Sequence, residues 1–240
     1  MSEPPLLPRD PAAHPVAHYP PYRTTIARSP RQPRLALPPT ASELTGPVFG
    51  SDQIAPEDDD LLRNHGGAGL PLGEPILLHG RVMDQWQRPV PGALIELWQA
   101  NASGRYRHRN DGYGAPLDPN FTGCGRVLTG EDGAYAFRTI RPGAYPWPNS
   151  ENSWRPAHIH LSLFGAAFGQ RLITQVYFEG DPLIPLCPIV NAIADPVAID
   201  RLVARLDMDR AMPFETLAWR FDIVLRGRSQ SWFETAPEGL

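Results

Sequence analysis

A chain of 240 residues is long enough to bury a full hydrophobic core without disulfides or metal staples. Its 22 basic and 26 acidic residues give a net charge of −4 with no basic block, which argues against nucleic acid or an anionic membrane surface as a partner. Two distant cysteines, Cys124 and Cys187, no signal-peptide layout and no apolar run near ~20 residues fit a reduced, cytoplasmic protein.

Residues 1–70 hold 13 of the 29 prolines and show no sustained period. Such a segment makes no core of its own. With Leu6, Leu7, Tyr19, Tyr22, Ile26 and Leu37 as apolar anchors, it reads as an arm packed on the body or on a partner. A short helical turn is expected around Asp59 to Arg63, behind an acidic cluster that suits a helix N-terminus.

From residue 71 onward the pattern is β. Strands are expected over 76–84, 93–98, 125–129, 134–139, 155–164, 172–178 and 215–225. Gly130-Glu131-Asp132-Gly133 signals a hairpin between the third and fourth of these. Asp195 as N-cap and Pro196 at the first position predict one helix, with Ile199, Leu202, Val203 and Leu206 on one face. The fold class is therefore all-β: a β-sandwich over 71–240, a proline-rich arm over 1–70, and one short helix in the C-terminal half.

The segment from Tyr145 to His160 stands out. It ends in His158-Ile159-His160 at the head of an apolar strand, and side chains two apart in a strand share a face. Both imidazoles would then point the same way, as two ligands of one metal ion must. A strand with two partly exposed histidines fits the same pattern. Zinc would need a third histidine or a Glu, and a common Fe(II) site one carboxylate. The neighbouring loops offer tyrosines instead, Tyr145 in the same segment and Tyr106 after the strand that ends at Trp98. Holding a phenol ionised at neutral pH costs about three pKa units, roughly 4 kcal/mol, which favours a hard trivalent ion. Tyr113, Tyr135 and Tyr177 are available by residue type too, although Tyr135 and Tyr177 alternate within strands and read as core or sheet-surface residues. His108, among three arginines, reads as solvated or ion-paired.

Four motifs in order, Leu97-Trp98-Gln99-Ala100-Asn101, Gly104-Arg105-Tyr106, Arg141-Pro142-Gly143-Ala144-Tyr145-Pro146 and Arg155-Pro156-Ala157-His158-Ile159-His160, resemble the intradiol ring-cleavage dioxygenases. Within that family the chain looks like the iron-bearing β subunits of the two-subunit members, from about Tyr22 to Gly227. The resemblance implies a mononuclear non-haem Fe(III), with Tyr106 and His158 equatorial, Tyr145 and His160 axial, and a hydroxide completing the shell. It implies that Arg155 offsets charge on the bound substrate, that Tyr145 leaves the metal to act as a base, and that Gln175 lies close to the iron. Tyr22, Trp147 and Ile189 match substrate-pocket positions, Tyr22 near the ring carboxylate. The implied reaction is cleavage of protocatechuate (3,4-dihydroxybenzoate) by O2 to 3-carboxy-cis,cis-muconate. The implied partner is a homologous α subunit that has lost the iron ligands and completes the pocket, in αβ protomers that assemble further. Catechol and hydroxyquinol dioxygenases share the four ligands but resemble homodimers with a helical N-terminal region, unlike this arm. A β-sandwich binding module and a zinc or copper hydrolase are the readings from other classes.

Overall fold

The structure, a computed structural model, describes residues 14–32, 54–164 and 171–225. The arm anchors Leu6, Leu7 and Leu37 lie outside the described residues. Eleven strands, two short α-helices and two single-turn 3-10 helices (Ile184–Leu186 and Val190–Ala192) follow one another along the described chain. The α-helices are α1 (Thr24–Arg28) and α2 (Pro196–Asp200). The strands are β1 (Pro75–Met83), β2 (Leu94–Gln99), β3 (Cys124–Leu128), β4 (Ala134–Ile140), β5 (Tyr145–Pro146), β6 (Trp154–Arg155), β7 (His158–Phe164), β8 (Arg171–Phe178), β9 (Val203–Leu206), β10 (Leu217–Arg220) and β11 (Ile223–Val224). Nine of them form one folded sheet in the order β11-β1-β10-β9-β8-β7-β2-β3, with β4 on β1; β5 and β6 pair separately.

Strand β9 joins the two layers. It runs parallel to β8 on one side and antiparallel to β10 on the other. The layer β3-β2-β7-β8 thereby faces the layer β4-β1-β10, and their inner faces share one core. Alternation supplies it: Ile159, Leu161 and Leu163 of β7 point inward with Ile95 and Leu97 of β2, against Ile76, Leu78 and Phe137 of the other layer. Each such side chain is almost fully buried, a contribution of about 1.5–3 kcal/mol apiece. The intervening residues His158, His160 and Ser162 consequently lie on the opposite face of β7. The β-sandwich expected from the sequence is the fold.

Three local expectations change. The segment Gly130 to Gly133 turns tightly, but β3 pairs with β2 and β4 pairs with β1, so the turn crosses between layers and does not close a hairpin. Its Gly133, at φ 73°, gives its carbonyl to the Val82 amide of the second layer, which draws the chain across. The helix begins as expected, with the Asp195 carboxylate capping the Val197 amide at 2.9 Å, but ends at Asp200. Val203 and Leu206 belong to a strand instead, because Val203 and Ala204 pair with Tyr177 and Phe178 and the open edge of β8 satisfies their backbone groups. The apparent helical face was a one-turn helix running into a strand. The run 155–164 is interrupted by Pro156 into β6 and β7, and 215–225 divides into β10 and β11.

The chain turns at Asp60, whose carbonyl accepts from Arg63 and Asn64 at 3.0 and 2.9 Å. Leu61 and Leu62 behind it enter the main core, and Asp60 pairs with Arg138 of β4 at 2.7 Å. Residues 14–32 pack on a second apolar cluster behind β8, where the Val16 amide donates to the Ala192 carbonyl.

Candidate metal centre and substrate pocket

Strand register places the donors. Trp98 of β2, His160 of β7 and Gln175 of β8 lie directly opposite one another across three strands, and His158 lies opposite Tyr177. All of these project from the face turned away from the main core. Two tyrosines arrive from loops. Tyr106 follows a turn organised by Asn101, whose Oδ1 accepts from the Ser103 and Arg105 amides at 3.0 and 2.9 Å. Its amide is then tied to the Asp111 carboxylate at 2.7 Å. Tyr145 opens the two-residue strand β5 and sits opposite Arg155.

The two tyrosine segments touch through glycine. A Cβ on Gly104 would lie 2.4 Å from the Ala144 carbonyl oxygen, at a φ of 81°, and one on Gly143 would lie 2.3 Å from the Ala102 carbonyl oxygen. Only glycine allows this approach, which brings the Tyr106 and Tyr145 rings to 5.6 Å. Gln99, fully buried, fastens the same region by donating to the Ile140 carbonyl at 2.9 Å and accepting from Thr139 at 2.8 Å.

The oxygens of Tyr106 and Tyr145 lie 3.3 and 3.5 Å from His158 Nε2. The His160 ring is 4.9 Å from that of His158 and 6.1 Å from that of Tyr106. His158 Nδ1 donates to the Pro156 carbonyl at 2.7 Å, so Nε2 is the unprotonated nitrogen that faces the phenols. Burial, then the Arg155 charge, then His160 hold this imidazole well below its ordinary pKa, and it is neutral. One lone pair facing two hydroxyl groups is a poor hydrogen-bonding arrangement and a good coordinating one. Two imidazoles with two phenols fit a hard, highly charged cation, and the Nδ1–H bond of His158 is the orienting contact such histidine ligands carry. Among the described residues no three His, Cys, Asp or Glu side chains gather to hold a metal ion.

Around the donors lies a cavity of about 870 Å³, lined by Tyr106, His108, Tyr113, Tyr145, Trp147 and His160 among others. Arg155, 4% exposed, donates to Gln175 Oε1 and to the Tyr177 hydroxyl, with its guanidinium 5.8 Å from the Trp147 ring. Trp147 meets the Tyr22 ring edge-on at 5.2 Å, and both pack on the cluster that contains Ile189. The Asn149 side chain holds this part of the arm, accepting from the Arg23 amide at 2.9 Å and donating to the Pro21 carbonyl at 2.8 Å.

All nine site residues expected from the sequence thus occupy one region. Tyr135 does not: it donates to the Phe221 carbonyl at 2.6 Å within the main core, and burial raises its pKa well above the ordinary value. Two residues were not singled out as part of the site. Trp98 packs on Tyr106 and His160, with centroids 4.6 and 5.2 Å apart, and Tyr177 joins Arg155 and Gln175. The signal for both is register, since each lies directly opposite a histidine of β7, and register is fixed by pairing that the sequence does not display.

A dioxygenase family model matches residues 44–227, and a model for the N-terminal part of protocatechuate 3,4-dioxygenase β subunits matches residues 7–40. The chain belongs to the intradiol dioxygenase family. It is 48% identical over 229 residues to the protocatechuate 3,4-dioxygenase beta chain of Burkholderia cepacia, covering 95% of this chain and 97% of that one. It is 32% identical to the alpha chain of Pseudomonas putida, across 82% of this chain and 96% of that one. Among solved structures, 3-chlorocatechol 1,2-dioxygenase from Rhodococcus opacus shares the fold at a TM-score of 0.53 and 23% identity, covering 84% of this chain and 75% of that one. This intradiol dioxygenase thus resembles both kinds of chain of a two-subunit enzyme, and its family depends on non-haem iron. No helix among the described residues is long and apolar enough to cross a membrane.

Proposed function

We propose that this chain is the iron-bearing β subunit of a protocatechuate 3,4-dioxygenase, active in the cytoplasm with a homologous α subunit. One observation carries the reading: two phenol oxygens and two imidazoles converge beside a buried arginine, in a chain that resembles a β chain almost end to end. Tyr106, Tyr145, His158 and His160 are the residues that would hold Fe(III). When bound, the ion would supply Lewis acidity that renders a catechol ring reactive toward O2.

The remaining work falls to the protein. Tyr145, partly exposed to the cavity, would lose its own proton on metal binding, and its phenolate Oη would then take a proton from a substrate hydroxyl and leave as the neutral phenol. Arg155, fixed and nearly dry, offsets the negative charge that grows on the substrate during cleavage. Trp147 and Ile189 flank the ring, and Tyr22 offers a hydroxyl toward its carboxylate side. Cleavage between the hydroxyl-bearing carbons places both atoms of O2 in 3-carboxy-cis,cis-muconate. We read residues 1–70 as an arm and 71–240 as the catalytic domain, with the partner completing the open side of the cavity.

The deciding experiment is a visible absorption spectrum of the chain purified with its α partner, before and after anaerobic addition of protocatechuate. A tyrosinate-to-Fe(III) band that shifts on addition is expected. A protein that stays colourless after Fe(III) is supplied would remove the two-tyrosine site.

A further inference from the structure

Strand β8 turns Gln175 and Tyr177 to one face, opposite His160 and His158. Tyr177 is 1% exposed and its ring lies 5.9 Å from that of His158. Its oxygen is engaged elsewhere. The hydroxyl donates to Gln175 Oε1 at 2.6 Å and accepts from Arg155 Nη2 at 3.2 Å. Arg155 Nη2 also donates to Gln175 Oε1. The three side chains close a triangle in which each bonds the other two.

We propose that Tyr177 is a positioning residue of this enzyme, whose hydroxyl locks Arg155 and Gln175 into one unit and so fixes where the arginine's charge meets the substrate. The inference rests on the reading of the site given above. Arginine has a long stem and many rotamers, and the two-residue strand β6 before Pro156 constrains only its backbone. The Gln175 amide can be turned either way around, but with Oε1 accepting from both neighbours a flip would forfeit two hydrogen bonds in a buried site. Tyr177 supplies the second donor. Its proton is committed to Gln175 and a lone pair to Arg155, which separates it from the two tyrosines whose oxygens face His158. Removing the hydroxyl leaves both neighbours a partner short where water is scarce, and the guanidinium shifts. A displacement near 1 Å at a reacting centre is worth up to about a hundredfold in rate.

The test uses the αβ holoenzyme carrying Tyr177→Phe, Arg155→Lys and the two together. Tyr177→Phe keeps the ring and its packing, so iron content and the resting visible band are expected to match the unsubstituted enzyme. We expect kcat to fall about tenfold with KM changed less than about threefold. The band of the anaerobic protocatechuate complex should move from its unsubstituted position, a readout independent of turnover. The double variant should be no slower than Arg155→Lys, since the tyrosine acts through the arginine. Gln175→Leu breaks the triangle at another corner and should give the same split between kcat and KM. An unchanged kcat, losses that multiply in the double variant, or loss of iron in Tyr177→Phe would each overturn the role. A colourless, inactive unsubstituted holoenzyme removes the iron reading itself. A coloured, active enzyme indifferent to Tyr177→Phe removes the positioning role alone.

Discussion

Successive residues of β8 feed two different apolar clusters. Val176 and Phe178 point into the main core between the layers, whereas Tyr177 points into the smaller cluster with Cys187, Ile189, Val190, Ile193, Ala198 and Leu202. The main core is strand against strand, and it fixes register, hence which residues of β7 and β8 stand opposite one another. The smaller cluster is built mostly from short helices and the turns between them over residues 184 to 202, and Tyr22 and Trp147 close it. One cluster sets where the donors stand; the other shapes the wall that a substrate meets. Damage to the first should therefore appear as lost stability, and damage to the wall side chains of the second, Tyr177 with its link to Arg155 apart, as altered binding.

The largest effect lies on the strand itself. His158→Ala should abolish iron binding and lower activity by at least about a thousandfold, measured by metal analysis and protocatechuate turnover. The folded sheet should persist, because Ile159, Leu161 and Leu163 remain on the other face of β7. His160→Ala should likewise lose iron, whereas Tyr145→Phe should keep iron and slow substrate binding. Full iron and normal turnover in these variants would end the ligand assignment.

Phe137→Ala inverts that pattern. Phe137 is fully buried in the main core, and its truncation should cost about 3–5 kcal/mol of unfolding free energy, read by denaturant titration. Activity per bound iron should stay within about twofold at temperatures where the variant is folded. A large fall in kcat per iron would mean that the core tunes the site beyond holding it. Gly104→Ala sits between the two: its Cβ would strike the Ala144 carbonyl at a positive φ, with an expected cost of about 1–3 kcal/mol and weakened iron retention. Smaller still is Ile189→Ala, expected to raise KM a few-fold with kcat nearly unchanged, since the residue forms wall and not ligand.

The same contrast explains what the sequence discloses. Period-two alternation in 158–164 and 172–178 reveals both the strands and the face on which His158 and His160 lie, because burial of one face dictates it. The four short motifs are legible because each carries backbone duty as well as chemistry: Asn101 ties its loop, and Gly104 and Gly143 permit contact. Partnership across strands is not legible. Nothing local to Tyr177 says that Arg155 will be its neighbour, and nothing in Gly130 to Gly133 says that the turn crosses layers. The segment after Asp195 misleads for a related reason. Ile199, Leu202, Val203 and Leu206 satisfy helical spacing, yet the free edge of β8 captures Val203 and Ala204 as a strand, a tertiary competitor absent from any local window.

The smallest expected effect compares two buried histidines. His158 faces Arg155 and His160, whereas His79 of β1 faces Asp207 at 3.1 Å, with Arg210 and Arg220 nearby. Burial is the leading cause that lowers the His79 pKa; the Arg210 and Arg220 charges add to it, and Asp207 opposes them. The folded protein therefore takes up this proton less readily than the unfolded chain, whose histidine titrates near 6.5. Stability from a neutral His79 is complete above that pH and is lost as pH falls below it toward the depressed folded value. Melting temperatures of the iron-free chain between pH 7.5 and 5.5 should fall less steeply in His79→Gln than in the unsubstituted protein. An identical slope would mean that Asp207 compensates fully for burial, and that this outer face of β1, unlike that of β7, leaves its histidine electrostatically neutral to folding.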